Sequence, residues 1–182
     1  MTPAPTLTTA RLTLRGPAKS DLPAFTAWAT RSARMVHVGG PASERDAWRG
    51  FLAGIGHWNW HGYGFFTVVD RASGVAAGRV GIINHIAWPQ PELAWHMFDG
   101  FEGRSMAFEA ACAVREWAGQ TLGLEPLISL IAPPNTRSRA LATRLGAVEE
   151  RRAVIDDENV IIYRHLSHKD PRARAQAAGA IA

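Results

Sequence analysis

The chain has 182 residues, is 47% hydrophobic and 20% charged, and so suits one compact domain with a buried core. No apolar run approaches the roughly 20 residues of a membrane helix, and a single cysteine, Cys112, excludes an internal disulfide or a cysteine-anchored zinc site. The net charge of +4 and a pI near 10.0 point toward nucleic acid, but half of that charge lies in the segment from Ser167 onward and the rest is interleaved with acids, so no nucleic-acid partner is expected.

Met1-Thr2-Pro3-Ala4-Pro5 has no charged region followed by an apolar block, so no secretory leader is expected, and the lone cysteine fits a reducing cytoplasm. Thr9 to Arg15 alternates apolar and polar residues and predicts a first strand. Ser20-Asp21-Leu22-Pro23 opens a helix that continues through Ala29, and Gly39-Gly40-Pro41 breaks the chain. Ser43 and Asp46 open a second helix carrying Trp48, Phe51, Leu52 and Ile55. Gly56 to Gly64 reads as a glycine-rich loop holding His57, Trp58, Trp60, His61 and Tyr63, whose aromatics either wall an acceptor pocket or seal the core.

Phe65–Val69 and Val75–Ile83 form a predicted hairpin around Arg71-Ala72-Ser73-Gly74. Glu92–Phe98 is a mostly apolar fourth strand. After the loop Asp99–Ser105, a helix runs from Met106 to about Gln120, with Ala107, Ala110, Ala111, Val114, Trp117 and Ala118 on one face. A short strand at Leu127–Ile131, a helix from Asn135 capped by Gly146, and strands at Arg152–Ile155 and Val160–His165 follow. The fold class is α+β with a mostly antiparallel sheet of about seven strands. The domain spans residues 8–166, and residues 167–182, rich in Ala, Arg and Gly, read as a flexible tail.

The segment from Glu92 to Gln120 is a strand, a glycine-bearing loop and a helix. A helix N-terminus offers unpaired N–H groups and partial positive charge, and glycine lets an anion approach the backbone. Phosphate binding there is physically natural, with Arg104 adding charge. The segment contains neither a P-loop nor a GxGxxG pattern, and taken alone it reads as a turn that uses glycine for geometry.

Five segments in order resemble the ribosomal-protein-alanine-acetyltransferase-like (RimJ/RimL-type) branch of the GNAT superfamily. They are Thr9-Ala10-Arg11-Leu12-Thr13-Leu14-Arg15, Gly78-Arg79-Val80-Gly81, Glu92-Leu93-Ala94-Trp95, Glu102-Gly103-Arg104-Ser105-Met106-Ala107-Phe108-Glu109-Ala110, and Asn135-Thr136-Arg137-Ser138 with Arg144-Leu145-Gly146-Ala147. Gly100, Ser105 and Phe108 depart from the usual motif.

The resemblance implies a GNAT fold with helices on both faces and a sheet splayed in the middle, holding acetyl-CoA and no metal. The backbone of Trp95, His96, Met97 and Phe98 would bind the pantetheine arm. The N–H groups of Phe101, Glu102, Gly103, Arg104, Ser105 and Met106, with Ala107, would hold the pyrophosphate. Asn135 would contact the cofactor, and Arg137 or Arg139 would reach its phosphates. The implied reaction is direct attack by a primary amine, a protein N-terminus or a small molecule, in a ternary complex. An N–H near Met97 would stabilise the oxyanion.

Glu92 is the candidate base, or else a strand-edge carboxylate. Ser138 is the candidate acid, or a helix-cap or first-turn serine. Tyr163 competes with it, or packs half-buried. A homodimer and a catalytically silent CoA-binding module both stay open.

Overall fold

The computed structural model describes residues 4–181. Met1, Thr2 and Pro3, on which the leader expectation partly rests, lie outside the described residues, as does Ala182.

A short strand that the pattern did not predict, β1 (Leu7–Thr8), precedes the alternating segment Thr9–Arg15, of which only β2 (Leu12–Arg15) is strand, with Leu12 and Leu14 fully buried. Between them, the Thr9 hydroxyl donates to Glu109 at 2.6 Å and the Arg11 N–H to the same carboxylate at 2.9 Å. That carboxylate pins the turn to the long helix that follows the phosphate-loop segment.

α1 (Leu22–Arg31) begins with Pro23 in its first turn, and α2 (Glu44–His61) with Ser43 accepting the Asp46 N–H at 3.1 Å. β3 (Phe65–Asp70), β4 (Ala76–Ile83) and β5 (Glu92–Met97) continue the antiparallel sheet. α3 (Met106–Trp117), β6 (Ile128–Ile131), α4 (Thr136–Arg144), β7 (Val148–Ile155) and β8 (Glu158–Arg164) complete the expected series. The sheet order is β1-β2-β3-β4-β5-β6-β8-β7, eight strands rather than about seven. Every pairing is antiparallel except β5–β6.

Residues on β5 alternate between two cores. Leu93, Trp95 and Met97 pack with Ala110, Ala111 and Val114 of α3, while Phe98, just beyond the strand, joins Phe25, Trp28 and Phe51 of α1 and α2. Glycines let β4 run close to its neighbours, since a Cβ on Gly81 would sit 2.1 Å from the Gly64 carbonyl oxygen.

Two expectations are corrected. The aromatic loop is helical through His61, and Gly62, at φ +74°, ends α2. Trp58 drives this, being buried with its indole N–H donating to the Phe65 carbonyl at 2.8 Å, whereas Trp60 is 85% exposed. None of the residues from 56 to 64 lines the large cleft described below.

The segment expected to be a flexible tail contains α5 (Pro171–Ile181). Ala173, Ala177 and Ala180 are buried at helical spacing, and Gln176 receives a bond from Arg115 of α3 at 2.7 Å. An alanine stripe is apolar enough to pack closely, yet carries no large side chain to betray it.

Candidate active site

β5 and β6 share one register pair, Glu92 with Ile128, and then diverge. Side chains replace the ladder bonds where it lapses. The Ser129 hydroxyl donates to the Leu93 carbonyl at 2.6 Å, and the Glu92 carboxyl accepts the Leu130 N–H at 2.9 Å. His165 Nε2 lies 2.9 Å from the Ser129 oxygen. Because that serine proton is given to Leu93, the histidine donates there. Burial pushes His165 down to about 3 and the Glu92 carboxyl up to about 8, the Leu130 N–H opposing the second shift.

The opening continues into a cleft of about 750 Å³, within the range of small-molecule sites. Trp95, His96 and Met97 of β5 line it, with Phe101, Glu102, Gly103 and Ser105 of the loop and Met106 and Ala107 of α3. Asn135, Arg137 and Ser138 line the opposite wall. The backbone supports this assignment. The Phe98 N–H is spent on the Ala77 carbonyl of the neighbouring β4 side, at 2.8 Å, while the Leu93 carbonyl faces β6. By alternation, Trp95 and Met97 turn their backbone groups into the gap.

In the loop, Gly100 and Gly103 take φ of +89° and +74°, and Ser105 takes +60°. Glycine at position 100, a departure from the usual motif, thus answers a left-handed backbone. The first backbone bond of α3 runs from the Glu109 N–H to the Ser105 carbonyl at 3.1 Å, so the N–H groups of the preceding turn remain free of helix bonds.

Not every expected residue reaches the cleft, and the Phe101 N–H, expected on the pyrophosphate, is taken by the Phe98 carbonyl at 3.1 Å. Phe98 is buried in the α1–α2 core, and the Arg104 guanidinium lies over the Phe101 ring at 5.4 Å. Arg137 lines the cleft, whereas Arg139 donates to the Tyr163 hydroxyl at 3.2 Å and the Pro133 carbonyl at 3.3 Å. Tyr163 is buried beside Ile131 and Ile161 and away from the cleft lining, so its half-buried reading becomes full burial. Asn135 caps α4, accepting the Ser138 N–H at 3.1 Å, so Ser138 is the first-turn rather than the cap serine. The Ser138 hydroxyl accepts from the Trp95 indole at 3.3 Å and keeps its own proton available. Glu92 lies at the junction, outside the lining.

Sequence reasoning missed Arg34 and His37, brought in by the turn after α1, and also Phe108 and Arg144; Trp28 of α1 joins them in the lining. Arg34 pairs with Asp99 and Glu102. Arg144 donates to Ser105 Oγ at 2.9 Å and covers the Phe108 ring at 4.0 Å. The spacing of Arg137, Leu141 and Arg144 was the available signal, since it places all three on one helical face.

Residues 11–148 match the acetyltransferase (GNAT) domain family. The chain is similar to an acetyltransferase from Agrobacterium tumefaciens str. C58, at 36% identity over 92% of this chain and 97% of that one, with a TM-score of 0.84. The chain belongs to the GNAT acetyltransferase family. It is therefore an acetyl-transferring enzyme, and the matched GNAT segment contains every residue lining the cleft. The fold is also that of Mycobacterium smegmatis RimJ, solved in complex with CoA-disulfide, at 17% identity over 98% and 96% of the two chains and a TM-score of 0.76. It is likewise shared with a ribosomal-protein-S5-alanine acetyltransferase from Vibrio fischeri, at 16% identity over 91% and 98% and a TM-score of 0.69. No group of three or more His, Cys, Asp or Glu residues placed to hold a metal, and no helix long and apolar enough to cross a membrane, occurs among the described residues.

Proposed function

We propose that this GNAT enzyme transfers an acetyl group from acetyl-CoA to a primary amine, of a small molecule or a protein N-terminus, by direct attack in a ternary complex in the cytoplasm. The carrying observation is the open sheet, where the backbone of Trp95 and Met97 faces a cleft that ends at the unpaired N–H groups of α3. The CoA-disulfide held by the Mycobacterium RimJ of the same fold supports this reading.

Acetyl-CoA supplies the acyl group as a thioester, and the protein positions it. The free N–H groups ahead of Glu109 take the pyrophosphate, and Arg137 and Arg144 on the far wall add positive charge. Positioning is the largest contribution, worth roughly 7–11 kcal/mol of barrier through effective molarity. The Met97 N–H is the oxyanion donor and the Ser138 hydroxyl the proton donor to the leaving thiolate. Glu92 is the candidate proton acceptor, its carboxyl raised to about 8 by burial. An acceptor with a depressed amine pKa needs it less, since an α-amine titrates near about 8 against about 10.4 for lysine.

Thermal unfolding with acetyl-CoA, CoA or ATP tests the cofactor assignment. Stabilisation of about 2.7 kcal/mol is expected at a hundredfold excess over Kd with the first two, and none with ATP. Thiol release on adding amines then separates an active enzyme from a silent CoA-binding module. Binding without turnover across peptides and small amines would favour the module.

A further inference from the structure

The acceptor side of the cleft carries a donor set that the cofactor does not use. Trp28 lines the cleft and is only 4% exposed, yet among the described residues its indole N–H has no hydrogen-bond partner. An unpaired buried donor costs free energy, so its retention beside a cleft calls for a ligand oxygen. His96 lies against it, with ring centroids 4.8 Å apart and tilted by 32°.

The state of His96 follows from its neighbour. Arg79 Nε donates to His96 Nδ1 at 2.9 Å. A guanidinium has no acceptor, so Nδ1 must carry the lone pair and a neutral ring must carry its proton on Nε2. Burial and the Arg79 charge both keep this ring neutral. His96 is thus a donor with no free basic nitrogen, and it is not the base of the reaction.

Behind it, the Arg79 guanidinium sits 4.7 Å from the Phe25 ring, 5.4 Å from Trp28 and 4.3 Å from Phe65. Among the described residues it pairs with no carboxylate, and Asp21, which shares its small pocket, is taken by Arg15 at 2.7 Å. Two hydrogen-bond donors of the cleft lining thus lie together with the Arg79 charge behind them, and the acids Asp21, Asp99 and Glu102 are each paired with an arginine.

We propose that Trp28 and His96, backed by Arg79, form a subsite for a carboxylate on the acceptor, which makes the preferred acceptor a small amine that also bears an acid group, such as an α-amino acid. This rests on the acetyl-transfer reading above. It selects against simple amines, which leave both donors unpaired, and against amides, which bring the oxygen without the charge.

The test compares α-amino acids, their amides and the matching decarboxylated amines as acceptors. The same panel is measured by calorimetry on wild-type protein saturated with CoA. The amino acid is expected to exceed both its amide and its amine in kcat/KM by roughly tenfold or more, the scale of a hydrogen bond to a charged group. Trp28→Phe keeps the aromatic ring and removes the donor, and should narrow that ratio about tenfold through KM, with acetyl-CoA affinity retained. Arg79→Met should narrow it as well and abolish the preference of acid over amide.

Equal rates for amino acid and amine, or variants that slow all acceptors alike, would overturn the subsite while leaving acetyl transfer standing. An amide as good as the acid would overturn the carboxylate and leave a peptide carbonyl as the occupant. Calorimetric binding of amino acids without turnover would support the subsite and sink the acetyl-transfer reading. Neither binding nor turnover would overturn the subsite outright.

Discussion

At the scale of single residues, the junction holds two buried titratable groups whose shifts run in opposite directions. Glu92 is raised to about 8 from an ordinary 4.5, so the folded protein keeps a proton that the unfolded chain loses. Its contribution is complete below about 4.5 and is lost as the pH rises to about 8. His165 is lowered to about 3 from 6.5, so its contribution is complete above 6.5 and is lost as the pH falls toward 3. Glu92→Gln keeps an oxygen for the Leu130 N–H and removes the titration. Its melting temperature should therefore gain on wild type between pH 5 and 8, as read by thermal unfolding in a pH series. If Glu92 is also the base, the same variant loses the pH limb near 8 from kcat/KM; an unchanged profile would confine the residue to holding the sheet. Arg137 and Arg139, two of the three arginines of α4, make a second pair of opposites. Arg137→Ala should weaken acetyl-CoA by about tenfold, the scale of a hydrogen bond to a charged group, whereas Arg139→Ala should leave that affinity in place. Equilibrium titration with CoA separates them.

At the scale of elements, what reads from sequence is what a period or a cap writes. The leucines of β2, the apolar face of α3 and the Ser43 cap all form as the pattern predicts. The strand–loop–helix that lines the cleft was legible for the same reason, through Gly103 and the alanines after it. Arg34 and His37 were not, because only the turn after α1 carries them into the cleft. The helix at residues 56–61 was hidden by Gly56 within it and Gly62 and Gly64 beyond it, and the weak propensity of Gly56 is overridden by burial of Trp58. α5 was hidden by its small side chains. If those alanines seat it on α3, Ala177→Asp buries an unpaired carboxylate and should cost at least about 2 kcal/mol, whereas Asp at the exposed Ala178 should cost under about 0.5 kcal/mol. Denaturant unfolding of the two variants measures the difference, and equal effects would show that α5 does not pack in solution.

At the scale of the whole molecule, the protein is two sheet portions meeting at a weak seam. β1 to β5 carry α1 to α3, and β6 to β8 carry α4. The ladder across the seam is one register pair, and side chains supply the rest, through the bonds of Glu92 and Ser129, the Trp95–Ser138 contact, the Arg144–Ser105 bond, the Arg164–Gln90 bond and the buried Arg115 bond to the Leu145 carbonyl at 2.8 Å. A ligand spanning from the α3 N-terminus to Arg137 adds contacts to both portions at once, so it should tighten the seam more than either body. Hydrogen exchange followed by mass spectrometry checks this. Saturating CoA should slow exchange most in residues 101–108, in α4 and at the Leu130 amide, which the Glu92 carboxyl already holds. The β7–β8 turn at Asp156 and Asp157, far along the outer hairpin, should not change. Protection confined to β2–β4 would place the ligand elsewhere. Protection of α4 without the loop would mean that the far wall binds CoA while the α3 N-terminus does not.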